Sequence, residues 1–225
     1  MIRVELSRPW LVAHLPRPMR VLSWAPFRPG FATATRVVWR EVRNADLTPD
    51  LDVEAWYAGE MALWPDAVGM LTSRDIGTFR LSVVEVDGVH AACLATVGLS
   101  NAEAVGRRRP YHTADWGTIN TCTSVSAALT ETAQIEALAI AVQARTAAVM
   151  EIGLPLDTGT ATGTGTDCTA FACDPGMASY AGLHTAIGEA IGAATRNAVA
   201  DAGADWIVWR DAERARRAAA GDAAP

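Results

Sequence analysis

A ten-residue run, Thr158–Asp167, reads TGTATGTGTD and places threonine at every even position from 158 to 166. Strand side chains alternate between faces, so this spacing predicts a strand with a hydroxyl ladder on one face and nearly bare backbone on the other. Threonine suits a strand and glycine weakens one, so Gly159, Gly163 and Gly165 ask for a further reason. A bare face admits a flat ligand or a second backbone. The run closes on Asp167, and YAGLHTAIGE from Tyr180 then brings His184 and Glu189. Hydroxyls, open backbone, a carboxylate and an imidazole make this stretch the chain's best active-site candidate.

Half of the 225 residues are apolar, enough for one substantial core. There is no lysine, and all nineteen basic residues are arginine. That excludes a Walker-loop lysine, a pyridoxal Schiff base and a lysine nucleophile. A net charge of −6 argues against nucleic acid as a partner, because phosphate contacts need a basic face. Arg107, Arg108 and Arg109, beside Pro110, read as a solvated turn. No apolar run approaches the roughly eighteen residues that span a bilayer, and charge and proline interrupt the start before a signal-peptide core could form. The expectation is a soluble cytoplasmic protein without membrane insertion. Cys93, Cys122, Cys168 and Cys173 lack paired ligand spacing and read as reduced packing residues, with no metal site and no cofactor. A small molecule is the expected partner, and a homo-oligomer is compatible with the composition.

Apolar segments at 2–6, 10–14, 20–24 and 33–40 read as strands, and Asp52–Trp64 has helical spacing. Phe79–Val86 and Val89–Val97, joined at Asp87-Gly88, carry the clearest hairpin signal. Gly117–Val125 reads as a further strand, Glu131–Ile152 as a helix stopped by Gly153 and Pro155, and the Thr-Gly strand as continuing to Cys173. Leu183–Ala202 is the second long helix, with Gly188 and Gly192 forming a stripe for close packing. Trp56 and Trp64 belong to the core, whereas Trp24 and Trp116 are candidates for lining a flat apolar pocket. The fold class is α+β: a single domain over 1–219, a mixed, largely antiparallel sheet with two long helices packed on it, and a disordered tail at 220–225.

Blocks in the second half resemble the adenosylcobinamide amidohydrolase family: GTINT (Gly117–Thr121), QARTAAV (Gln143–Val149), ATGTGTD (Ala161–Asp167) and YAGLHTAIGEAIG (Tyr180–Gly192). Upstream, VLSWAP (Val21–Pro26), VGMLTS (Val68–Ser73) and TVGLSNA (Thr96–Ala102) are similar to family blocks too. The resemblance implies hydrolysis of the amide joining the corrin ring's propionyl side chain to aminopropanol. Adenosylcobinamide would become adenosylcobyric acid and 1-amino-2-propanol, a step of cobalamin precursor salvage, with the corrinoid as substrate. Two departures stand out: Arg28-Pro29-Gly30 replaces Asn-Gly-Gly, and Gln143-Ala144-Arg145 replaces Glu-Ala-Lys. An amide cannot act as a general base, so the alternative is a corrinoid-binding protein with weak or lost hydrolase activity.

Amide hydrolysis needs an activated nucleophile, a proton donor for the leaving amine and an oxyanion stabiliser. Asp167 either activates water or orients an imidazole. His184, near a helix start, takes or gives protons near neutral pH. Glu189 reaches the site from a neighbouring angle or is solvated. These three are the expected catalytic residues. Asn101, Thr118, Asn120, Gln143, Arg145, Thr164 and Thr166 are the expected substrate contacts. Water is preferred to threonine as nucleophile.

Overall fold

The computed structural model describes residues 1–43, 46–47, 50–110 and 116–220. The chain begins with β1 (Arg3–Ser7), β2 (Trp10–Ser23) and β3 (Gly30–Glu41), followed by α1 (Val53–Glu60), β4 (Ala67–Thr72), β5 (Arg80–Val86) and β6 (Val89–Val97). After the short β7 (Ala102–Glu103) come β8 (Ile119–Leu129) and α2 (Glu131–Ile152). Three short pieces, β9 (Pro155–Leu156), β10 (Gly159–Thr160) and β11 (Gly163–Thr164), precede β12 (Cys168–Pro175) and α3 (Ala186–Ala220). The main sheet has eight strands in the order β4-β3-β2-β12-β8-β6-β5, with β1 also on β2. It is open and largely antiparallel; only β3/β4 and β8/β12 run parallel, each across a helical connection.

Local chemistry explains these elements. The β5–β6 hairpin turns at Asp87-Gly88, where both residues take positive φ (47° and 77°), as a two-residue turn between twisted strands requires. Thr130 caps α2 by accepting from the Ala133 N–H (3.2 Å), and Gly153 ends it at φ 70°. The segments expected at 10–14 and 20–24 form one strand, β2. Its pairing with β3 shifts register between His14 and Met19, the stretch that contains Pro16 and Pro18, whose nitrogens cannot donate to a ladder.

Both faces of the sheet are covered. Cys93, Ala95, Val97 and Ile119 face α2 and α3, packing with Ala141, Ile191 and Val199. The opposite face joins Leu11, Val37 and Met70 with Leu94, Cys122 and Ala170, so the two wings of the sheet share one core and the sheet is curled. A third cluster of Val12, Val38, Tyr57 and Met61 seats α1, with Trp56 and Trp64 packed beside it. All four cysteines are buried and unpaired. No helix among the described residues is long and apolar enough to cross a membrane.

Two expectations need correction. The Thr-Gly run is no continuous strand. It folds as turns with two-residue pairings, Gly159-Thr160 on β9 and Gly163-Thr164 on β7. The Asp167 carboxylate takes up the Thr164 N–H that a ladder would have used (3.0 Å). The second long helix also begins later and runs further than Leu183–Ala202: α3 is one rod of 35 residues, about 52 Å long. Gly188 allows its start, since a Cβ there would lie 2.2 Å from the Gly182 carbonyl oxygen; Gly192 makes only ordinary contact with Ile140. Ala220 belongs to α3, and 221–225 lie outside the described residues.

Candidate active site

The curl of the sheet brings the end of β4 against the starts of β8 and β12, where three of the sequence blocks meet. Asp167, just before β12, is the best-held carboxylate there. Its Oδ1 accepts from the Ile119 N–H (3.1 Å) and the Thr164 hydroxyl (2.5 Å); its Oδ2 accepts from the Thr164 N–H and lies 3.0 Å from Arg145 Nη1. The side chains of Arg145 and Asp167 are 11% and 8% exposed. Burial pushes the Asp167 carboxyl up from its ordinary value, against Arg145, the Thr164 hydroxyl and the two amide donors. Every contact donates to the carboxyl, so the geometry holds the carboxylate form at neutral pH. Gly163 must be glycine, because a Cβ would stand 2.5 Å from Asp167 Oδ2.

On the other side of this loop the polar groups converge. Asn120 Nδ2 donates to the Leu71 carbonyl (2.7 Å), tying β8 to β4 across the curl. Thr118 Oγ1 lies 2.9 Å from Asn120 Oδ1 and 2.8 Å from the Thr166 carbonyl, and its single proton serves one acceptor at a time. Thr166 donates to the Gly117 carbonyl (2.8 Å) and accepts from Asn101 Nδ2 (3.3 Å). Asn101 Oδ1 is buried with no partner among the described residues. A cleft of about 280 Å³ opens here, lined by Leu71, Asn101, Trp116, Thr118, Asn120 and Cys168 among others. A second, of about 230 Å³, adjoins it through Ser73, Trp116 and Gly117 and is walled by Glu41, Arg74, Asp75 and Trp209. Past Ser100, Trp206 and Trp209 an open groove of about 820 Å³ continues along α3. The Cys168 thiol is pushed up to about 12 by burial and the nearby Asp167, so it is a neutral wall and no nucleophile at neutral pH.

The expected site residues therefore separate. Asn101, Thr118, Asn120, Arg145, Thr164, Thr166 and Asp167 gather at this end. His184 and Glu189 do not join them. Leu129 at the end of β8 bridges Ala178, and the Ala181 N–H donates to Glu136 Oε2 (2.7 Å). This approach to α3 thus sits at the far end of β12, whose eight residues span roughly 25 Å. There His184 is exposed in the turn before α3, and Thr185 caps the helix by accepting from the Gly188 N–H (2.9 Å). Gln143 is exposed, two residues from Arg145 and so on another face of α2. Trp116 lines both clefts, while Trp24 is 45% exposed and donates to the Asp167 carbonyl (2.7 Å). Sequence reasoning missed Arg74, Trp206 and Trp209. The first had a signal, since it directly follows the Val68–Ser73 block.

A family model described as adenosylcobinamide amidohydrolase matches residues 1–211. Among solved structures, the PH0078 protein from Pyrococcus horikoshii OT3 is similar with a TM-score of 0.44 at 10% identity, over 89% of this chain and 78% of that one. No curated protein matches significantly.

Proposed function

Because the chain belongs to the adenosylcobinamide amidohydrolase family, we propose that it hydrolyses the aminopropanol amide of adenosylcobinamide, releasing adenosylcobyric acid and 1-amino-2-propanol. The observation that carries this reading is the family match over residues 1–211. The convergence of the Val68–Ser73, Thr96–Ala102 and Gly117–Thr121 blocks on one pair of clefts supports it. Each cleft has room for an amide side chain, and the macrocycle would lie across their mouth toward the open groove.

In this reading Asn101, Thr118, Asn120 and Thr166 hold the substrate arm. Asp167 and Arg145 act as positioning residues: they brace the loop that carries Thr166 from behind, and all four of the carboxylate's contacts are already donors. Among the described residues, the carboxylates that line the clefts are Glu41 and Asp75, 21% and 52% exposed and both paired with Arg8, and in this reading one of them takes a proton from the attacking water. Gln143 lies outside this arrangement, so its exchange for glutamate does not remove the chemistry.

The test is incubation of the purified protein with adenosylcobinamide, followed by chromatography and mass analysis. Formation of the corrinoid acid with release of 1-amino-2-propanol is expected. Corrinoid that binds and stays unchanged would refute the hydrolase reading and leave a corrinoid-binding protein.

A further inference from the structure

Arg74 follows β4, and only 8% of it is exposed. Its guanidinium carbon lies 5.1 Å from the centroid of the Trp209 ring. Among the described residues its Nε is buried without a partner, and the carboxylates around it are engaged by other arginines. Arg8 pairs with Glu41 (2.5 Å) and with Asp75, and Arg80 pairs with Asp205. Burial pushes the Arg74 guanidinium down, against Asp75 and Asp205; arginine nevertheless remains a cation in proteins. A buried guanidinium nitrogen without a hydrogen-bond acceptor costs stability, and a ligand that accepts from it removes that cost.

The cleft in front of Arg74, about 230 Å³, fits one small planar group against Trp116 and Trp209. Its polar rim has two signs. Arg74 offers N–H donors in a planar fork. Arg8 and the Gly77 N–H engage Asp75 Oδ1, and Arg8 engages Glu41 Oε2, which leaves Glu41 Oε1 and Asp75 Oδ2 without a donor among the described residues. A carboxylate would suit Arg74 but would face Glu41 and Asp75. Three arginines against three acids leave the cluster near neutral, so the fitting ligand is neutral and both accepts and donates.

We propose that this cleft is a carboxamide subsite, with the amide oxygen on the Arg74 guanidinium and the amide N–H on Glu41 or Asp75. The assignment rests on the hydrolase reading only for which amide enters: there it would seat another amide side chain of the corrin, beside the arm held by Asn101, Thr118, Asn120 and Thr166.

The experiment titrates protein carrying ¹⁵N-labelled indoles with propionamide and with propionate, following the Trp209 resonance assigned through Trp209→Phe. A saturable shift with propionamide, with propionate weaker by roughly tenfold or more, is expected. Arg74→Met should abolish the response and raise Tm, because the desolvation cost of the buried guanidinium is gone. Arg74→Lys, which keeps the charge without the fork, should bind roughly tenfold more weakly. Propionate binding equally well would overturn the carboxamide assignment in favour of an anion site. Absence of a saturable shift in the wild type, or a lower Tm in Arg74→Met, would overturn it as well. Propionamide binding without turnover of adenosylcobinamide leaves the subsite standing and removes the corrinoid reading; turnover without propionamide binding does the reverse.

Discussion

Replacing Asp167 by Asn tests whether the carboxylate holds the site together. The exchange keeps the shape and removes the charge. An Asn oxygen can still accept from the Ile119 N–H and the Thr164 hydroxyl, but its NH₂ then faces the Thr164 N–H and Arg145 Nη1, donors against a donor. Arg145, 11% exposed, is left as a buried cation without its counter-ion. Breaking such a pair from one side costs about 3–5 kcal/mol, a large share of the roughly 5–15 kcal/mol that holds a domain folded. At about 2–4 °C per kcal/mol for a chain of this size, Tm should fall by roughly 6–20 °C. Adding Arg145→Met removes the orphaned charge, so the double variant should recover about 1–3 kcal/mol relative to the sum of the singles. Urea unfolding of the four proteins at neutral pH completes the cycle. A stability within about 1 kcal/mol of wild type for Asp167→Asn, with no coupling to Arg145, would refute the bracing argument. If that variant were also inactive, Asp167 would be a chemical group and not a brace.

Other perturbations probe the same architecture. Gly163→Ala forces a Cβ to within 2.5 Å of Asp167 Oδ2 and should cost about 1–3 kcal/mol in urea unfolding; a neutral result would mean that the loop has room to shift. The buried thiols of Cys93 and Cys168 are pushed up to about 11 and 12. The unfolded chain ionises them first, so the stabilisation is complete below about pH 9 and lost as pH rises toward those values, at about 1.4 kcal/mol per unit for each thiol. Urea midpoints should therefore drop between about pH 9 and 10.5, less so in Cys93→Ala, and a flat wild-type profile would contradict the assignment. His184→Ala and Glu189→Gln ask whether the far end of β12 takes part. Turnover within about threefold of wild type, less than about 0.7 kcal/mol, is expected for a site at the Asp167 end, and its loss would move the chemistry to the start of α3.

Elements governed by neighbours in sequence were legible. The limits of α2 are set by Thr130 and Gly153, and the β5–β6 turn by Asp87-Gly88, all local signals. The Thr-Gly run misled because its alternation matches a strand while its hydrogen bonds go to Asp167 and Glu103, partners that no period reveals. β4 has no alternation to read, since nearly all its residues are buried, as in a parallel strand covered on both faces. α3 continues through Gly203, whose missing Cβ clears space for Ile152, a packing partner that the sequence does not show. In the candidate site, the family blocks marked Asp167, Thr118 and Asn101. Arg74 stayed hidden because its meaning lies in its burial against Trp209, which stands far along the chain.

The pairing of Arg74 with Trp209 also places the site in time. The cleft's walls come from Glu41, Asp75, Ser100 and Trp116, and its last wall is brought by the far part of α3. At synthesis rates of about 5–20 residues per second, Trp209 emerges roughly 7–27 s after Arg74. Through that interval the curled sheet can form while the guanidinium still faces water. The nascent chain thus carries an open, hydrated half-site, and the walled cleft exists only after the final helix has docked.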